Sequence, residues 1–265
     1  MVDTVAGGTA FSIGGCLKRA LSTFFANFIP FNLLGLVVIV PGFLVIFLAF
    51  GAVFASIFLA GQGNGGAPDF GALHFGTLGL VWVLALTLQY FLTAVIVYGA
   101  LRYLQGNTAG FLACLMHGLR RIGPILVIAV ISTVLISVGM ILLIVPGIII
   151  ALMICLAIPV LMVESPGMLA SLSRSRALTK GYRWHLLGLF LVAGIGSAVA
   201  TFVVSLPFDL LLPQDGAIAI VGVVVKSAIQ LFTTVFLAVV LAVAYHDLRV
   251  AKEGVSTAQI AAVFD

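Results

Sequence analysis

The chain has 265 residues, 63% of them apolar and only 8% charged, against roughly 45–50% and about 25% in ordinary soluble domains. Twelve basic and eight acidic side chains cannot cover a water-soluble globule of this length, whose apolar patches would far exceed what soluble monomers tolerate. A soluble enzyme, a disordered chain and a nucleic-acid-binding protein are excluded, and the net charge of +4 gains meaning only from where the cations sit.

The N-terminal segment carries Asp3 and shows no cleavable signal. Residues 11–28 predict an amphipathic helix with Ile13, Leu17, Leu21, Phe24 and Phe28 on one face and Lys18, Arg19 and Ser22 on another. A bilayer core of roughly 30 Å takes about 20 apolar residues in helix. Six such spans are expected, at about 30–55, 78–102, 123–143, 146–163, 185–206 and 217–246. Pro41-Gly42 offers a competing reading in which residues 24–61 form a hairpin and the spans number seven. The stretch Gly61 to Pro68 and the stretch Pro207 to Gly216 read as loops, and Val145-Pro146-Gly147 reads as the tight turn between spans three and four.

Two further basic segments precede spans. Residues 109–121 carry Leu112, Leu115, Met116 and Leu119 before Arg120-Arg121. The third starts at Ser165-Pro166, an N-cap followed by proline at N1, and stops at Gly181, with Arg174, Arg176 and Lys180 toward its C-terminal end. Such helices lie in the headgroup plane and meet anionic lipid.

Six spans place Lys18, Arg19, Arg102, Arg120, Arg121, Arg174, Arg176, Lys180, Arg183, Arg249 and Lys252 on one side, while the opposite loops hold Asp69, Asp209 and Asp215 and no cation. Basic residues stay cytoplasmic, so six spans are preferred over seven. Both termini are expected in the cytoplasm, with the aromatic residues Tyr98, Tyr103, Trp184 and Tyr245 near the inner interface and Trp82 near the outer one.

The chain reads as a single transmembrane domain over 1–265, with signs of internal duplication about residues 10–108 and 109–254. Tyr98-Gly-Ala-Leu-Arg102 is echoed by Tyr245-His-Asp-Leu-Arg249, and Val40-Pro41-Gly42 by Val145-Pro146-Gly147. Arg19-Ala-Leu likewise recurs as Arg176-Ala-Leu.

Few residues could carry chemistry. Lys226 is the charged residue inside a span, with Gln230 one turn later and Thr233 and Thr234 beyond. That strip reads either as a mid-membrane substrate or ion site or as a lysine snorkelling toward Asp209 or Asp215. Glu164, Arg174, Arg176, Tyr245, Asp247 and Arg249 gather toward the inner face, where an ion-pair cluster pinning helix ends is preferred over a catalytic acid. The histidines His74, His117, His185 and His246 form no metal or catalytic motif, and no cofactor is expected. Cys16, Cys114 and Cys155 read as small apolar fillers. The pairs Gly51/Ala55, Gly194/Ala198 and Gly196/Ala200 predict close helix approaches.

The run VPGIIIALMICLAIPVLMVE, followed by SLSRSRALTKGYRWHLLGL and the closing YHDLRVAKEG, resembles the bacterial glycerophosphoryl diester phosphodiesterase membrane-domain family and related YciC-like inner-membrane proteins. Pro146, Gly147, Pro159, Glu164, Arg174, Ser175, Leu178, Gly181, Trp184, Tyr245, Asp247, Leu248 and Arg249 carry the likeness, over about residues 110–254. The resemblance implies an all-α, six-helix integral protein of the bacterial inner membrane without assigned activity. The phosphodiesterase domain attached in some relatives has no counterpart in this sequence, so the enzymatic name does not carry over. The expected role is a non-catalytic accessory, scaffold or lipid-interacting component with a membrane or protein partner. The rival is a small transporter with a polar site around Lys226 and Gln230. A third reading is a lipid-modifying enzyme using Glu164 or His246-Asp247.

Overall fold

The computed structural model describes residues 11–64, 72–107, 110–165, 167–211 and 216–254. Asp69 and Asp215 lie outside the described residues, as do the side chains of His74 and Asp209. The chain is an all-α polytopic membrane protein. Among the described residues, six helical stretches are long and apolar enough to span a bilayer: Phe28–Ala55, Gly76–Leu104, Ile122–Leu142, Ile144–Val163, Arg183–Phe208 and Val221–Glu253.

A short helix followed by two spans recurs three times along the chain. The first set is α1 (Ile13–Ala26), α2 (Phe28–Asn64) and α3 (Ala72–Leu104). The second is α4 (Phe111–Arg120), α5 (Ile122–Leu142) and a broken span made of α6 (Ile144–Ile154) and α7 (Ala157–Val163). The third is α8 (Met168–Thr179), α9 (Arg183–Leu211) and α10 (Gly216–Glu253).

Proline position explains the span ends. Pro146 sits in the first turn of α6, where its missing N–H would have no intrahelical partner in any case. The turn before it is the single extended residue Leu143 (φ −163°, ψ 143°), rather than Val145-Pro146-Gly147 itself. Pro41, in the same tripeptide, lies inside a continuous α2, so residues 24–61 form no hairpin and the candidate spans among the described residues number six. Helix also continues through Gly61–Asn64 and through Pro207 to Leu211, which shortens both expected loops. Pro159, in the first turn of α7, cannot donate to Cys155 O four residues back, and the fourth span breaks at Cys155-Leu156 into α6 and α7. Ser175 on α8 repairs the break: its Oγ accepts from Leu156 N–H at 3.1 Å and donates to Met153 O at 2.8 Å.

The core lies where α3, α7 and α10 meet. Every residue of Ala157–Val163 is buried, as are Phe91, Leu92 and nearly all of Ala94–Leu101 on α3, and Val235 and most of Ala238–Leu248 on α10. Helices apolar all round are buried or face lipid. The outward-facing Phe43, Phe47 and Phe54 of α2 and Ile195, Val199 and Phe202 of α9 are exposed, which suits a hydrocarbon solvent and not water.

The expected small-residue contacts fall elsewhere. Nothing approaches the position a Cβ would take at Gly51, Gly194 or Gly196. Close approach occurs instead at Gly139 and Gly147, where a Cβ on the first would lie 2.9 Å from the Cα of the second. The short turn at Leu143 forces that contact, because it folds α6 directly back on α5.

Candidate functional site

The three short helices sit at one end of the bundle, held by the ends of α7 and α10. In α1, Ser12 accepts from Gly15 N–H at 3.4 Å as an N-cap. Its buried face is Cys16, Ala20, Thr23 and Phe24, while Leu21 and Phe28 turn outward with Phe25. The apolar stripe read from the sequence is thus divided: Phe24 is buried and Ile13 and Leu17 pack partly against the core, Leu21 and Phe28 are exposed, and the small residues Cys16 and Ala20 complete the face turned to the bundle. Helix α4 behaves alike: Cys114 and Gly118 are buried, and Leu112, Met116 and Leu119 are exposed.

Helix α8 departs from expectation more strongly. Gly167, with φ +99°, occupies the N-cap position in place of Ser165, since a left-handed backbone is open to glycine. The helix is not amphipathic in the apolar sense: Ser171, Ser175, Leu178 and Thr179 face inward. It ends at Thr179, just before Gly181 at φ +90°.

Two faces of the α10 end organise the charges. On one, Tyr245, Arg249 and Glu253 follow one another at single-turn spacing. Glu164, at the C-cap of α7, accepts from Arg174 Nε at 2.8 Å and from Tyr245 Oη at 2.8 Å. Arg174 also pairs with Glu253, which accepts from Arg249 Nε at 3.1 Å. Arg249 Nη1 donates to Tyr245 Oη at 3.4 Å. Burial pulls the Arg174 guanidinium down, but the Glu164 and Glu253 carboxylates outweigh it and hold it above its usual value. On the other face, Asp247 accepts from Arg19 Nη2 at 2.6 Å and lies 3.4 Å from His246 Nδ1. Burial, and then the nearby Asp247 carboxylate, push the Cys16 thiol up, so it stays protonated.

Of the residues expected to cluster, Glu164, Arg174, Tyr245 and Arg249 come together. Asp247 belongs to a separate pair with Arg19, and Arg176 is exposed and is not a partner of Glu164. Glu253, the hub between Arg174 and Arg249, was missed by sequence reasoning; its i, i+4 spacing from Arg249 was the available signal.

Basic and imidazole side chains also close the helix ends. Arg121 Nη1 donates to Leu161 O at 2.6 Å, and His117 Nε2 meets Met162 O at 3.3 Å. Lys252 Nζ donates to Ala177 O at 2.7 Å and Lys180 O at 2.6 Å. These carbonyls belong to the final turns of α7 and α8, or to the residue just past α8, and are unsatisfied within the helix. The His117 ring stacks on Tyr98 with centroids 4.0 Å apart.

Further along the bundle lies a chamber of about 590 Å3 between α3, α5, the α6–α7 span, α9 and α10, open on the side where Gln89 and Gln230 are exposed. Gln89 and Thr93, Ser132, and Gln230, Thr233 and Thr234 line it from three helices. Lys226, half-buried and one turn from Gln230, is not among its lining residues.

No family model, curated protein or solved structure matches this chain.

Proposed function

We propose that the chain is a non-catalytic multi-pass protein of the bacterial inner membrane that engages anionic lipid headgroups as a scaffold or accessory component, with both termini cytoplasmic. One observation carries this reading. All three short helices gather at the same end, and α1 and α4 there present exposed Lys18 and Arg120 beside the exposed apolar residues Leu21, Leu112 and Met116. A helix with cations above an apolar strip partitions into the headgroup boundary. Each juxtamembrane cation is worth about 1 kcal/mol near an anionic surface.

The three carboxylates whose side chains are described, Glu164, Asp247 and Glu253, are each engaged by an arginine. That engagement supports ion pairing over acid catalysis at Glu164 or at His246-Asp247.

Orientation is tested with single cysteines placed beside Arg120 and Arg176. A membrane-impermeant maleimide should leave them unlabelled in intact cells and label them in inverted vesicles; labelling in intact cells overturns the orientation. Headgroup binding is tested by replacing Lys18, Arg120 and Arg176 with glutamine, which should lower the phosphatidylglycerol retained on purification.

The transporter reading is favoured by one observation, namely that Gln230 lines a mid-bundle chamber with polar groups from three helices.

A further inference from the structure

The chamber between α3, α5 and α10 gathers uncharged polar groups at mid-bundle, away from the ion pairs at the α10 end. Its described lining residues bring amides and hydroxyls from three helices and no charged group. Its volume of about 590 Å3 falls within the roughly 300–1,000 Å3 of small-molecule sites.

Ser132 carries the argument further. Hydroxyls in membrane helices commonly donate to a carbonyl one turn back. Thr87, Thr93 and Thr234 do so here, to Val83 O at 2.7 Å, Gln89 O at 2.9 Å and Gln230 O at 2.9 Å. Ser132 does not. It is 2% exposed, lines the chamber, and its Oγ has no hydrogen-bond partner. A buried hydroxyl without a partner is costly where no water competes, so its partner is expected from outside the protein.

We infer that this chamber binds an uncharged amphipath, a neutral lipid with hydroxyl or ester oxygens on an apolar body. Ser132 donates to a ligand oxygen, and the Gln89 and Gln230 amides supply both a donor and an acceptor. A phosphate, carboxylate or metal ion is disfavoured, since none of the lining residues compensates a charge in hydrocarbon. The inference is independent of the headgroup reading, which concerns the basic end.

The test uses the full chain in phosphatidylcholine nanodiscs with a diazirine-bearing diacylglycerol, the adducts being mapped by mass spectrometry. Labelling should concentrate on α5 and α10 around Ser132 and Gln230. Excess dioctanoylglycerol should compete it away, while dioctanoyl phosphatidic acid, with the same acyl chains and a charge, should not. Gly194 lines the chamber and has open space at its Cβ position, so Gly194→Leu fills the site and should abolish the labelling. Ser132→Ala, the milder change, should weaken it about fivefold, the loss of one hydrogen bond. Labelling spread over the lipid-facing sides of α2 and α9, equal competition by phosphatidic acid, or full labelling of a monodisperse Gly194→Leu protein would each overturn the proposal. Should Gly194→Leu not fold, unchanged labelling of Ser132→Ala would do so alone.

Discussion

Arg19 and Asp247 stand 228 positions apart in the chain and meet at 2.6 Å. The arginine is 55% exposed and the aspartate 5%, so the pair joins a solvated cation on α1 to a carboxylate sunk in the end of α10. This asymmetry orders the effects of mutation. Arg19→Gln strands a buried charge and should cost about 1–3 kcal/mol. The double variant with Asp247→Asn removes both charges and should cost less than the sum of the singles, a coupling that reports direct contact. Unfolding of the four proteins in detergent measures it. Strict additivity would show that α1 is held by its packing alone.

Glu164 and Arg176 make a second contrast. Glu164 receives Arg174 and Tyr245, so Glu164→Gln should lower the unfolding midpoint by several degrees, from a loss of about 1–3 kcal/mol. Arg176 is exposed, and Arg176→Ala should stay within about 0.5 kcal/mol of the parent. Equal effects of the two would place Arg176 in the network.

His117 predicts a pH dependence. Burial first, then the Arg121 charge, lower its imidazole below the usual 6.5. The unfolded chain therefore binds a proton that the folded chain refuses. Stability from this group is fully present above pH 6.5 and declines as pH falls toward the depressed folded value, below which the loss is complete. His117→Phe should flatten this part of the stability profile and keep the stacking on Tyr98. A profile of unchanged slope in the variant would assign the acid sensitivity to other groups.

Glycine substitutions should divide by position and not by motif. Gly139→Ala brings a Cβ against the backbone of Gly147 and should cost about 1–3 kcal/mol. Gly196→Ala meets open space and should be neutral or stabilise by about 0.5–1 kcal/mol, since glycine is the weaker helix former. Thermal unfolding of both variants decides the matter, and a destabilised Gly196→Ala would reveal a helix contact absent from the structure.

Hydropathy and charge alone were enough to specify the class of protein, five of the six spans within two residues at each end (the sixth runs on to Glu253), and the grouping of the short basic helices at one end. Those features follow from one-dimensional constraints: a bilayer dictates span length, and cations are costly to translocate. Which residues touch did not follow. Amphipathic spacing put Leu21 with Phe24 and Leu112 with Leu115 on one face, but the bundle divides those faces: Phe24 is buried and Leu115 half-buried, Leu21 and Leu112 are exposed, and the small residues Cys16, Ala20 and Gly118 take the protein side. The same tripeptide, Val-Pro-Gly, stands in the first turn of α6 and in the interior of α2, because its effect depends on where helix has already begun. Tertiary structure alone chose Arg19 over Arg249 for Asp247, drew Glu253 into the Glu164 network, and left the Ser132 hydroxyl unpartnered beside a chamber. Ion pairs and cavities depend on distances between helices far apart in the chain, and only the packed bundle sets those distances.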